Sequence, residues 1–252
     1  MIELLLATRN PGKLAELRRM LDGTPLRVLG LADVAEFPEA PETGATFAEN
    51  ALAKARDAVA ATGLPAVADD SGLAVDALNG MPGVLSARWC GRHGDDRANL
   101  DLVLGQLADV PDERRGAAFV CAAALVLPDG AEVVEHGEWR GRLVRAPRGT
   151  GGFGYDPIFV PDGDSRTSAE LGPQEKDARS HRGRALSALL PHLLAVGKPR
   201  RRRTCGGQQA LLTTTSSFSP GEGARYRYWP VFDAVSMARP DSAFLPVTRV
   251  RM

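Results

Sequence analysis

Cysteine is scarce in this 252-residue chain: Cys90, Cys121 and Cys205 are odd in number and far apart. They cannot close a disulfide framework, and none has a partner at zinc-knuckle spacing. Histidine is nearly as scarce, and His93, His136 and His192 share no metal-ligand spacing. No apolar run approaches the roughly 18 residues of a membrane-spanning helix. The opening MIELLLATRN also lacks a basic n-region and a cleavage site, so a cytoplasmic location is expected. A G-x-S-x-G elbow is missing, which leaves a Ser71, His181 and Asp hydrolase without the turn that chemistry normally uses. No internal repeat is visible.

What is present is an ordinary globular composition, 44% hydrophobic and 25% charged, enough for one large domain with or without an appendage. The zero net charge hides a split. Residues 1–196 hold 21 Lys+Arg against 28 Asp+Glu, and residues 197–252 hold 10 against 3. An acidic body that receives a polyanion needs local basic residues and a divalent cation rather than a general positive field.

Hydrophobic patterning predicts an α/β domain. Residues 2–7 read as a strand, Leu14, Leu17 and Leu21 as a helix face, 26–31 as a second strand and 47–61 as an amphipathic helix. Residues 66–68 and 73–75 read as strand pieces separated by a bend at Asp69-Asp70-Ser71-Gly72. Residues 97–107 are helical, and 117–127 and 133–144 form a hairpin around Pro128-Asp129-Gly130. Residues 158–160 make a short strand. A last helix begins at Ser180 and stops near Val196, before Gly197 and Pro199. This mixture predicts a mixed sheet, not an all-parallel one.

Several segments could carry chemistry. Thr8-Arg9-Asn10-Pro11-Gly12-Lys13 joins a strand to a helix, with Asn10 as N-cap and Pro11 as the first helical residue. Such a helix start exposes N–H groups and partial positive charge, so with Lys13 nearby it is a candidate phosphate site as well as a plain cap. Asn50 and Lys54 share one face of the next helix, with Glu49 in its first turn; alone they read as a solvated surface. Asp69 and Asp70 follow a buried-looking strand, where adjacent carboxylates are costly unless paired or bound to metal. One can face a pocket while its neighbour ties down the bend, because successive strand residues point to opposite faces. Magnesium typically takes one or two carboxylates plus substrate phosphates, which one such Asp and a nearby Glu could supply.

Gly149-Thr150-Gly151-Gly152-Phe153-Gly154-Tyr155-Asp156 satisfies G-x-G-x-x-G formally. A turn and a strand follow it where a dinucleotide fingerprint would open a helix, so that reading fails. Its glycines instead let backbone approach a planar ligand, with Phe153 or Tyr155 available to stack on a base. Ser180-His181-Arg182 opens the last helix, where a cationic His and Arg would oppose the helix dipole unless a ligand compensates; Lys176, on the preceding loop, adds a donor.

In this order, TRNPGK, TFAENALAKA, DDSGL, GTGGFGYDPIF and EKDARSHRGRAL resemble the inosine triphosphate pyrophosphatase family, also called XTP/dITP diphosphatases, over residues 1 to about 196. The resemblance implies an elongated mixed sheet with flanking helices forming two lobes around a central cleft, and a homodimer. It implies hydrolysis of ITP, dITP and XTP to the monophosphate and pyrophosphate with Mg2+. It assigns Asp70 as proton acceptor and magnesium ligand, and Glu42 as the second ligand, with Glu39 and Glu49 close in sequence. Thr8, Arg9, Asn10, Pro11, Gly12, Lys13 and Lys54 would hold phosphates, and Ser71 would touch substrate. Phe153, Gly154, Tyr155, Asp156, Lys176, His181 and Arg182 would form the nucleobase pocket. Arg9 stands where the family often has Gly, which stiffens the phosphate turn. No nucleic acid or membrane partner is expected for the folded domain.

Residues 197–252 depart from the family. Arg200 to Arg203 and the Ser/Thr-rich stretch 213–219 form a basic low-complexity tail, expected to be disordered. Loss of periodicity where the domain should end reads as a shifted frame near the natural stop; a basic extension binding nucleic acid or anionic surfaces is the alternative.

Overall fold

The chain runs β1 (Ile2–Leu6), α1 (Pro11–Met20), β2 (Leu26–Leu29), α2 (Phe47–Thr62), β3 (Ala66–Val75), α3 (Asp96–Gln106), β4 (Gly116–Val126), β5 (Glu132–Leu143), β6 (Phe159–Pro161), α4 (Pro173–Arg179) and α5 (His181–Leu194). The computed structural model describes residues 1–38 and 41–196; the tail expectations and Glu39 lie outside them. All six strands form one sheet in the order β2-β1-β3-β4-β5-β6. β1 is parallel to β2 and β3, and the remaining neighbours are antiparallel, so the sheet is mixed as expected. Among the described residues no helix is long and apolar enough to cross a membrane.

The bend expected at Asp69 to Gly72 is absent. β3 is unbroken over 10 residues and pairs with β4 from Ala66↔Val126 to Val75↔Ala117. Two acids fit inside a strand because each finds cationic or amide donors on its own face, which offsets their desolvation in place. Gly72 has a close-approach role instead: a Cβ there would collide with Ser86 Oγ and the Gly83 carbonyl, so the 3-10 segment Gly83–Arg88 lies directly against the strand. The hairpin strands start and end one residue earlier than predicted. Lys176, expected on a loop, belongs to α4, which Pro173 opens.

Opposite faces of the sheet are covered by different helices. α2 packs through Ala51, Ala55 and Ala58 on Ala66, Ala68, Ala122 and Ala124, all fully buried. These small side chains let the helix approach closely and bring Asn50 and Lys54 over Asp70. Thr46 and Glu49 start α2 with a reciprocal capping box, and Gly63, at φ 69°, ends it. α1 and α5 cover the other face with Leu17, Leu186, Leu189 and Leu193 against Leu4, Leu6, Val67 and Leu125. Gly137 allows α5 its approach, since a Cβ there would meet the His181 carbonyl oxygen. Further along the long strands, Leu73, Phe119, Trp139 and Phe159 form a separate core with Leu100 and Val103 of α3 and Leu107, which caps it. β3 therefore contributes to all three of these cores, in the mixed sheet with flanking helices that the resemblance implied.

Candidate active site

Asn10 caps α1 as predicted: its Oδ1 accepts from Gly12 N at 2.9 Å and Lys13 N at 3.2 Å. Thr8 Oγ1 accepts from Asn10 N at 3.2 Å. Free N–H groups at this helix start were expected, and here the structure differs. Pro11 has none, the next two serve the Asn10 side chain, and Leu14 N donates to the Asn10 carbonyl at 3.3 Å. An anion at this turn must therefore replace the Asn10 oxygen or rely on the helix dipole and Lys13.

The paired acids of β3 separate by face. Asp69 Oδ2 accepts from Lys13 Nζ at 2.6 Å, and Asp69 Oδ1 accepts from Arg182 Nη2 at 3.0 Å. Burial alone would raise the Asp69 pKa, but Arg182 and Lys13 outweigh it and hold the group at about 2. Arg182 Nη1 also donates to Glu16 Oε2 at 2.8 Å, so this buried guanidinium ties α5 to α1 and β3. Arg182 was expected in the nucleobase pocket; it is 4% exposed and is absent from that cavity's lining. It buttresses Asp69 and the Lys13 end of α1.

Asp70 faces α2. Its Oδ2 accepts from Asn50 Nδ2 at 2.9 Å, and its Oδ1 from Lys54 Nζ at 3.1 Å. Lys54 Nζ is also 2.5 Å from Glu42 Oε1, and Glu42 Oε2 accepts from Arg88 Nη1 at 3.0 Å. Arg88 Nη2 donates to the Glu42 main-chain carbonyl at 2.9 Å, holding the loop as well as the acid. Burial would raise the Glu42 pKa, yet Lys54 and Arg88 bring it below its ordinary value. Burial likewise works against the Lys54 charge, and Asp70 and Glu42 raise its pKa all the same.

Asn50 and Lys54 are therefore not the solvated surface their spacing suggested. Asn50 is 2% exposed and uses both ends of its amide, accepting from Gly44 N at 2.8 Å while donating to Asp70. Sequence reasoning also missed Arg88, which lies in a short 3-10 segment with no periodicity to mark it.

Glu42 and Asp70 present hard oxygen donors to one shared cation, an arrangement that suits magnesium. Among the described residues no group of three or more His, Cys, Asp or Glu could cage an ion. The two carboxylates that converge here are Glu42 and Asp70, and the cation they share is the Lys54 ammonium.

Beside Ser71 and Gly72 lies a cavity whose walls include Ser86, Asn99, Phe119, Phe153, Lys176 and His181. Phe153 is 49% exposed, with Lys176 Nζ 5.2 Å from its ring centre. Tyr155 is not free to stack: it is buried, and its hydroxyl donates to the Ser86 carbonyl at 2.8 Å. Asp156 is also occupied by the protein. Its carboxylate accepts from Lys176 Nζ, from Phe153 N at 2.8 Å and from Ser168 Oγ at 2.7 Å. Gly154 N donates to Asp96 Oδ2 at 2.8 Å, so α3 holds the glycine loop from the other side.

His181 stacks on Phe119, with ring centres 4.9 Å apart and planes 14° from parallel. It was expected to be cationic. Burial, and then the charges of Arg182 and Lys176, push its pKa down to about 3, so the helix start carries a neutral imidazole. Its Nδ1 is buried without a hydrogen-bond partner among the described residues.

Comparison with known proteins gives one answer. A family model described as the Ham1 family matches residues 4–192. The chain is 67% identical over 199 residues to a dITP/XTP pyrophosphatase of Nocardia farcinica, covering 78% of this chain and 97% of that protein. A Mycobacterium tuberculosis protein of the same name is 68% identical over 200 residues, covering 77% of this chain and 98% of its own length. Among solved structures, the nucleoside-triphosphatase, or dITP/XTP pyrophosphatase, of Mycobacterium abscessus is 66% identical with a TM-score of 0.64, covering 75% of this chain and all of that one. A HAM1 protein from Coxiella burnetii, 46% identical, gives a TM-score of 0.71 and covers 77% and 98% of the two chains. The chain belongs to the Ham1 family.

Proposed function

We propose that this protein is a nucleoside triphosphate pyrophosphatase that hydrolyses dITP, ITP and XTP to the nucleoside monophosphate and pyrophosphate. One observation carries the reading. Asp70 stands in mid-strand, converges with Glu42 on one ammonium, and lies next to a cavity walled by Phe153, Lys176 and His181. The names of the relatives support the same chemistry.

In this reading residues 1–196 form the catalytic domain. Lys13, Lys54 and the Thr8 to Lys13 turn take the phosphates, with Arg9 at its edge. Asp70 accepts a proton from the attacking water, and Asn50 keeps the carboxylate aimed. Magnesium is the proposed cofactor, held by Asp70 and Glu42; when bound it neutralises phosphate charge and acidifies water. Ser71 and the Phe153 ring contact the nucleoside, while Gly154, Tyr155 and Asp156 shape the pocket floor. Lys176 donates to a purine 6-oxo group and meets the 6-amino group of adenine unfavourably. His181 reads the base as a neutral imidazole, and Arg182 acts from behind by fixing Asp69. We further propose that the enzyme works as a cytoplasmic homodimer, as in the family it resembles.

Incubation with ITP and magnesium, with products separated by ion exchange, tests the reaction type. IMP and pyrophosphate in equal amounts support it. IDP and orthophosphate would place cleavage at the wrong phosphate and overturn it.

A further inference from the structure

The four carboxylate oxygens around Lys54 divide into two sets. Glu42 Oε2 and Asp70 Oδ2 are held from outside, by Arg88 Nη1 at 3.0 Å and Asn50 Nδ2 at 2.9 Å. Glu42 Oε1 and Asp70 Oδ1 face inward, and both lie on the same ammonium, 2.5 Å and 3.1 Å from Lys54 Nζ. The outer donors fix the two acids whether or not Lys54 is there. The inner oxygens, the natural pair for a divalent ion, are already serving a cation.

We propose that Lys54 is a placeholder cation whose removal by the substrate's phosphates opens the metal site, so that metal and nucleotide bind cooperatively. The proposal rests on the metal site described under Proposed function. A divalent ion that takes both inner oxygens must push the ammonium aside, and a displaced ammonium close to a dication is repelled by it. A triphosphate removes the difficulty, because its oxygens give the ammonium a new anionic partner while also ligating the ion. Without nucleotide, the lysine competes with the metal; with nucleotide, it assists. Lys54 thereby guards the site against divalent ions arriving alone. By linkage, the factor by which nucleotide tightens metal equals the factor by which metal tightens nucleotide.

The test measures binding, not turnover. Mn2+ affinity is read by electron paramagnetic resonance, and Mg2+ affinity by calorimetry, at pH 8. Each is measured with and without an α,β-methylene analogue of ITP, which cannot be cleaved at the reacting bond. For the unaltered protein the analogue is expected to tighten metal binding by at least about tenfold. Lys54→Met is expected to bind metal alone about tenfold more tightly than the unaltered protein, to bind the analogue more weakly, and to lose most of the coupling. A residue that only supported the fold would weaken metal binding when removed, so the sign of the change is diagnostic. Lys54→Gln provides a second variant, and the coupling in the unaltered protein stands without either. Equal metal affinity with and without the analogue overturns the proposal, as does a Lys54→Met protein that binds metal no more tightly. Asp70→Asn separates the two possible failures: if it leaves metal affinity of the ternary complex unchanged, the ion is held elsewhere, and the metal site falls together with this inference.

Discussion

Asp69 and Asp70 are neighbours in one strand, yet each is held by a different lysine on a different face: Asp69 Oδ2 accepts from Lys13 Nζ at 2.6 Å and Asp70 Oδ1 from Lys54 Nζ at 3.1 Å. Chemically identical side chains are thus assigned to different work by the period of the strand alone. Asp69 sits in a buried charge cluster with Arg182, while Asp70 sits where Asn50, Lys54 and Glu42 converge.

Substitution should separate these roles. Asp70→Asn removes a proton acceptor but keeps an oxygen for its neighbours, so pyrophosphate release from ITP should fall by at least ~100-fold with an unchanged thermal midpoint. Asp69→Asn leaves Arg182 and Lys13 without their shared counter-charge and should cost at least about 2 kcal/mol in denaturant unfolding. Equal effects of the two substitutions on stability would contradict the division.

Acid should act on the fold through Asp69. Its pKa in the folded protein is depressed to about 2, below the ordinary 3.8, so its stabilising contribution is fully present above pH 3.8. That contribution, about 2 kcal/mol, is lost as pH falls through about 2. Urea titrations between pH 5 and 2 should show the decline in the unaltered protein and a shallower one in Asp69→Asn.

His181 should behave in the opposite sense to a surface histidine. With a folded pKa near 3 it stays neutral where the unfolded chain takes a proton, so stability should fall as pH drops below about 6.5. Its imidazole resonances should not titrate between pH 5 and 8 in the folded protein. A midpoint near 6.5 would show that the ring is solvated and charged.

Asp156 should control base selection without touching the base. Its carboxylate holds Lys176, the Phe153 N–H and the Ser168 hydroxyl together. Asp156→Ala should raise KM for ITP roughly tenfold or more and lower the preference for ITP over ATP, since the orienting acceptor of the specificity lysine is gone. Retained preference would place discrimination elsewhere.

Much of this was readable from the sequence where a local rule applies. Asn10 and Pro11 announce a capped helix through residue type alone, and the apolar repeat of α5 through its spacing. The strand running through Asp69 to Gly72 was not readable, because two acids and a glycine look like a bend until partners contributed by α1, α2 and α5 are known. For the same reason Asn50 reads as surface: only the alanine contact between α2 and the sheet places it over Asp70. Arg182 shares a motif with pocket residues yet turns away to Asp69 and Glu16, and Tyr155 lines the cavity with its hydroxyl tied to the Ser86 carbonyl; no sequence spacing encodes which way a side chain turns.

Triphosphates of 6-oxo purines should be hydrolysed here at the bond that releases pyrophosphate. The most direct test is kcat/KM for pyrophosphate release from ITP, dITP, XTP and ATP, measured in parallel with magnesium. The three 6-oxo substrates should exceed ATP by at least ~100-fold. Comparable turnover of ATP, or no pyrophosphate from any of the four, would contradict the assignment.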